Sequence, residues 1–138
     1  MMKIIVDAFG GDNAPLEIIK GCVEAAQEYK DVQIIMTGNE NIIRHVAKQN
    51  NICLDGLQIV TTNSVISMHD APNCVLKEKA DSSMAVGLQM VAKGEADGFV
   101  SAGNSGALTF GASMIVKRIK GIKRAAFAAS VPKMNGHM

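Results

Sequence analysis

Short apolar runs alternate with segments of helical spacing along this 138-residue chain, and that alternation restricts the fold more than any other feature. The runs are Lys3–Ala8, Val32–Thr37, Leu57–Thr62, Gly98–Ser101 and Ala125–Val131. The first, K-I-I-V-D-A, is apolar without polar alternation, as in a strand buried on both faces. After Pro15, a residue suited to a first helical turn, Leu16, Ile19, Val23 and Ala26 recur at spacings of three and four. Ile42, Ile43, Val46 and Ala47 mark a second helix over Glu40–Gln49. A further helix, capped by Asp81 or Ser82, carries Met84, Leu88 and Val91 on one side and stops at Gly94. Another is predicted from the loop Ala102–Gly106 to about Lys120, and a short one over Cys74–Lys79. Asn63–Asn73 lacks periodicity and reads as a loop over the surface or over a site. Strands alternating with helices in this way predict βαβ units and an α/β fold with a mainly parallel sheet. Residues 1–138 fit a single α/β domain. Seven residues follow the last strand, from Pro132 through K-M-N-G-H-M, with no helix for its second face. The expectation is an N-terminal part of a longer chain.

In open sheets of this kind ligands bind beyond the carboxyl ends of the strands, and two glycine-rich loops occupy that position. One is Val100–Leu108, V-S-A-G-N-S-G-A-L; the other is Asp7–Pro15, D-A-F-G-G-D-N-A-P. Gly103, Asn104, Ser105 and Gly106 carry little bulk, so backbone N–H groups can come close to an anion. The helix that follows adds unpaired N–H groups and the positive end of its dipole. Two such loops point to binding of a phosphate-like group.

Charge and cysteine content exclude other classes. Fourteen basic against thirteen acidic residues leave a net charge of +1, no footprint for nucleic acid. No apolar run approaches the ~18 residues of a membrane span. Asp7 comes too early for a secretory signal. Cys22, Cys53 and Cys74 are widely spaced and lack zinc-ligand spacing, so the reading is no metal and reduced, structural thiols in a cytoplasmic protein.

D-A-F-G-G-D-N-A-P at Asp7–Pro15, K-A-D-S-S-M at Lys79–Met84 and S-A-G-N-S-G-A at Ser101–Ala107 together resemble the acyl-carrier-protein:phosphate acyltransferase family of bacterial phospholipid synthesis. The resemblance runs in order over the whole chain, which corresponds to the N-terminal portion of that family. Phe9 stands where the family usually has Met, and Ser105 where it usually has Thr. The resemblance implies a three-layer αβα architecture like that of the isocitrate dehydrogenases and phosphate acetyltransferase. It also implies transfer of a long-chain acyl group from acyl carrier protein to inorganic phosphate, forming an acyl phosphate. No cofactor is implied. The implied partners and setting are acyl carrier protein, inorganic phosphate, a second copy in a homodimer, and the inner membrane face as a peripheral site.

Phosphate attack on a thioester asks for a held phosphate, a stabilised oxyanion and little acid help, because a thiol leaving group has a pKa of about 8.5. No catalytic triad is evident. Gly103–Gly106 are candidates for the phosphate or oxyanion, against the alternative of a tight turn without ligand. Ser101 and Ser105 can each donate a hydroxyl, or serve as cap and turn residues. Gly10, Gly11, Asp12 and Asn13 form the second candidate loop, although the Asp12 carboxylate disfavours a nearby phosphate unless protonated or hydrogen-bonded. Asp7 at its strand end either reaches the site or fastens the turn. Lys79 either offsets phosphate charge beside Ser82 and Ser83 or is a solvated helix-end lysine. Ser82 and Ser83 are first candidates for an N-cap and second for phosphate contact. His69 in the irregular loop is a candidate acid or base against a surface histidine; His45 and His137 carry no role. Met84, Met90 and Met114 read as core. Lys117, Arg118, Lys120, Lys123 and Arg124 read as a docking patch for an acidic carrier protein or as a solvated helix end. Two further readings stay open: an acyl-coenzyme A enzyme of the phosphate acetyltransferase type, and a non-catalytic phosphate- or nucleotide-binding module. The first loop lacks G-x-G-x-x-G and G-K-[ST], which weighs against the module.

Overall fold

A computed structural model describes residues 1–128. Four parallel strands form one sheet: β1 (Met2–Asp7), β2 (Val32–Gly38), β3 (Gln58–Thr61) and β4 (Gly98–Val100), in the order β3-β2-β1-β4. Helix α1 (Leu16–Glu28) joins β1 to β2, α2 (Glu40–Gln49) joins β2 to β3, and α3 (Ser83–Ala92) precedes β4. Helix α4 (Ser105–Gly111) follows β4 and widens into a π-helical turn at Ala112–Val116. A 3-10 helix over Pro72–Leu76 lies within the long β3–α3 connection.

The side-chain alternation of the central strands builds a core on each face. Ile34 and Met36 of β2, with Ile4 and Val6 of β1, meet Ile19 and Cys22 of α1 and Ile43 and Ala47 of α2. Ile5 and Ile35, neighbours in the β1–β2 register, turn to the other face and pack with Ala96, Met90, Val91 and Phe99. A third cluster joins Met84, Ala85 and Leu88 of α3 to Val75, Ile66 and Ala107. The arrangement is three layers, helix–sheet–helix, as the resemblance implies. Central strands buried on both faces read as continuous apolar runs, which is why β1 and β2 were visible in the sequence. Among the described residues no helix is long and apolar enough to cross a membrane.

The sheet order places a topological switch at β1. From β1 the chain winds outward through β2 to β3, then returns to the other side of β1 with β4. The carboxyl ends of β1 and β4 are therefore neighbours whose loops leave toward helices on opposite faces. That is where a crevice opens in such sheets.

The structure departs from the sequence reading beyond α4. The predicted helix to Lys120 ends at Val116, where Lys117 takes a left-handed φ of +74°. The run K-R-I-K-G-I-K-R that follows, from Lys117 to Arg124, offers no apolar stripe to hold a helix, and Gly121 interrupts it. The predicted fifth strand is also absent over Ala125–Ala128, and its remaining residues lie outside the described part. Among the described residues β4 pairs with β1 alone. Residues 125–127 instead line an open apolar cavity of about 600 Å³ with Leu88, Phe99, Leu108 and Val116. The short helix expected over Cys74–Lys79 is the 3-10 helix Pro72–Leu76, earlier in the chain because Pro72 fixes its first turn.

Candidate anion-binding site at the sheet switch point

Asp7 ends β1 with its side chain 3% exposed, a buried carboxylate whose hydrogen bonds are local and across the switch point. Its Oδ1 accepts from the N–H of Phe9 at 3.1 Å, and its Oδ2 accepts from the Ser101 hydroxyl at 2.8 Å. Ser101 Oγ in turn accepts from the N–H of Gly103 at 3.1 Å. A chain of hydrogen bonds thus runs from the end of β1 to the turn after β4. Asp7 fastens the two loops together, one of its two expected roles.

The loops touch through their glycines. A methyl at Gly10 would fall 2.5 Å from Ser101 Oγ, 2.9 Å from Asp7 Oδ2 and 3.0 Å from Gly103 N. A methyl at Gly103 would fall 3.2 Å from Gly10 Cα. A methyl at Gly11, itself at φ +108°, would fall 3.3 Å from Ala102. Beneath them Met84 Cε lies 3.5 Å from the position of a Gly103 methyl, which brings the start of α3 under the second loop.

The donors left over are backbone groups. Within the described residues, the N–H groups of Gly11, Asp12 and Asn13 on the first loop find no acceptor. The same holds for Ala102, Asn104, Ser105 and Gly106 on the second. Ser105 and Gly106 open α4, whose first-turn N–H groups have no intrahelical partner. Asp12, Asn13 and Ser105 are solvent-exposed, and Gly11 and Gly106 half-buried.

The side chains nominated as ligands are mostly committed elsewhere. Asn104 is 7% exposed and caps α4, its Oδ1 accepting from Ala107 N at 3.0 Å. Its Nδ2 donates to the carbonyls of Ser67 at 3.0 Å and Asp70 at 3.1 Å. Lys79 Nζ donates to Val65 O at 2.7 Å and pairs with the Asp70 carboxylate. The Lys79 ammonium beside it, with the N–H of Ser67, holds the Asp70 carboxyl below the ordinary range. Ser82 is fully buried and caps α3, accepting from Ala85 N at 3.2 Å. Ser83 is buried and its N–H donates to Ser64 O. Ser82 therefore is the N-cap, the first of its expected alternatives, whereas Ser83 is the first residue of the helix and caps nothing. His69 is exposed on the 63–73 loop. Phe9, the departure in the first motif, lays its ring against Gly38.

The cysteines take no part. Burial pushes the Cys22 thiol up to about 11 and raises that of Cys74, so neither is a ready thiolate. Among the described residues no three His, Cys, Asp or Glu side chains gather closely enough to share a metal ion. Lys117, Arg118, Lys120, Lys123 and Arg124 are all exposed, beyond α4 rather than on it.

Residues 2–138 match the family described as "Fatty acid synthesis protein". The chain belongs to that family. It is 43% identical over 135 residues to a phosphate acyltransferase of Caldanaerobacter subterraneus subsp. tengcongensis, covering 98% of this chain and 40% of that relative. It is 44% identical over 135 residues to a phosphate acyltransferase of Thermoanaerobacterium thermosaccharolyticum, covering 98% of this chain and 39% of that relative. The chain thus spans about two-fifths of the length of these family members. Its fold is similar to that of the EutD phosphotransacetylase from Staphylococcus aureus, with a TM-score of 0.64 at 20% identity. That match covers 89% of this chain and 40% of the solved one. The likeness establishes a phosphotransacetylase-like α/β fold.

Proposed function

We propose that this chain supplies the phosphate-side loops of an enzyme that transfers a long-chain acyl group from acyl carrier protein to inorganic phosphate. The observation that carries the reading is the pair of apposed glycine loops at the β1/β4 switch, with unpaired backbone N–H groups on both. Its family membership and the phosphate acyltransferase relatives support it.

The chemistry needs little beyond what such loops provide. A phosphate oxygen attacks the thioester carbonyl carbon, forming a C–O bond and a tetrahedral oxyanion. Collapse breaks the C–S bond; the carrier's thiolate leaves with the electron pair and takes a proton from water. A thiolate of ordinary pKa, about 8.5, leaves without strong acid help. Gly11–Asn13 and Ser105–Gly106 hold phosphate or oxyanion through N–H donors that need no reorganisation, a preorganised electrostatic contribution. Asp7 and Ser101 keep those donors in register. The reaction uses no cofactor in this reading, and acyl carrier protein is the acyl donor.

The test is release of free carrier protein from a long-chain acyl carrier protein by the longer family protein bearing this sequence, with and without inorganic phosphate. Phosphate-dependent release is expected. Phosphate-independent release, or preference for short-chain acyl-coenzyme A, would overturn the reading.

A further inference from the structure

Asn104 sits between the glycine turn and the 63–73 loop with its polar atoms committed to both. The side-chain oxygen accepts from Ala107 N, and the amide donates both hydrogens, one to Ser67 O and one to Asp70 O. A primary amide has two donors, so none remains for a ligand. Its burial, at 7% exposure, leaves no open face.

The loop it grips buries little apolar surface, and its remaining ties are polar: Lys79 to Val65 O and Asp70, and Ser64 and Asn63 to the segment ahead of α3. Val65, Met68, His69 and Pro72 are exposed, and Ile66 is the buried apolar side chain within 63–73. A segment with so little buried surface is held by its polar ties. Those ties converge. The carboxylate of Asp70 receives Ser67 N at 2.6 Å and the Lys79 ammonium, while its carbonyl receives Asn104. Ser64 Oγ donates to Asp81 Oδ1 at 2.6 Å, just ahead of α3. Pro72 lies against Gly106, where a methyl would meet its Cγ at 3.2 Å. Gly106 carries one of the unpaired N–H groups, so the loop and the anion turn share a wall.

We propose that Asn104 is a positioning residue, coupling order in the 63–73 loop to occupancy of the glycine turn, and is not itself a ligand of the anion. The proposal rests on the reading of the two glycine loops as an anion site. An anion on the N–H groups of Ser105 and Gly106 fixes the turn that aims the Asn104 amide, and the amide fixes the loop. Coupling of this kind is reciprocal: a loosened loop weakens anion binding by the factor with which the anion orders the loop. The 63–73 loop is then a wall of the site that firms when phosphate arrives, and Lys79 with Asp70 acts on the same wall from its far side.

Asn104→Ser separates the two roles of the residue. Serine keeps a side-chain oxygen for the N-cap and loses both donors to the loop. The measurement is amide hydrogen exchange across residues 63–73 of the chain, with and without inorganic phosphate, alongside the amide NMR signals of Ser105 and Gly106. In the wild type, phosphate is expected to shift those signals and slow exchange in the loop. In N104S the loop is expected to exchange about tenfold faster without ligand, as befits the net loss of two hydrogen bonds. Phosphate is expected to slow it no further, and the melting temperature to fall by only a few degrees, as a loss of that size implies. N104T, which likewise keeps a capping oxygen and lacks the two amide donors without adding charge, is expected to behave alike and stands in if N104S does not fold. Wild-type exchange in both variants, or phosphate protection of the loop that persists in them, overturns the proposal. Wild-type signals at Ser105 and Gly106 that ignore phosphate overturn the anion reading itself, and any loosening in the variants then marks Asn104 as a structural clamp only.

Discussion

Gly10 shows how narrowly the site is built. Its α-carbon faces Ser101 Oγ, Asp7 Oδ2 and Gly103 N, three atoms already joined in one hydrogen-bond chain. Alanine there would intrude on a side chain that cannot turn away without breaking its bond to the buried carboxylate. Gly10→Ala is expected to push the loops apart, costing about 1–3 kcal/mol as overpacking does. Thermal denaturation reads that cost, and phosphate-dependent acyl release by the longer protein is expected to fall with it. A variant as stable and active as wild type would show that the loops do not meet as described. The glycines were legible in the sequence because absent bulk is itself the signal. The duties of Ser101, Lys79 and Asn104 were not. Ser101 meets Asp7 from 94 positions away, and Asn104 meets Ser67 and Asp70 across 37 and 34 positions. Only the strand order brings those partners together, and residue type alone does not disclose it.

At the scale of elements, the hold on the 63–73 loop depends on pH. Asp70 is a partly exposed carboxylate whose folded-state pKa is depressed, first by the Lys79 hydrogen bond and next by Ser67 N. A depressed carboxyl contributes stability that is present above its unfolded value, about 4 for Asp, and is lost as pH falls through the lower folded value. Loop opening, read as exchange corrected for the intrinsic amide rate at each pH or as cleavage by an acid-active protease, is therefore expected to be constant near neutrality and to increase below about pH 4. Asp70→Asn is expected to start loose and to lack that step. An acid step retained in the variant would move the cause to another group. Elements with strong periodic signals matched their sequence reading closely, α2 over Glu40–Gln49 and the Ser82 cap of α3 among them. The failure came after Val116, where the apolar stripe ends and Lys117 turns the chain out of the helix. Ala125–Ala128 have strand composition, yet composition does not provide a neighbouring edge to pair with, and Ala125, Ala126 and Phe127 line an apolar cavity instead.

For the whole molecule, the alternation of strand and helix disclosed a parallel sheet, and the sheet order β3-β2-β1-β4 adds what alternation leaves open. It sets β1 and β4 side by side, so two loops separated by some ninety residues become the floor of one candidate site. The side chains at that floor brace one another, and the donors that face outward belong to the backbone. On the proposed reading, Phe9 and Ser105 can replace the usual residues of the motifs because the anion is held by N–H groups that any residue except proline supplies. Its most direct test is a titration of the chain with inorganic phosphate, followed by backbone amide NMR. Saturable shifts are expected at Gly11–Asn13 and Ala102–Gly106, with little change at Lys117–Arg124. Shifts confined to that basic segment, with the glycine loops unmoved, would contradict the site.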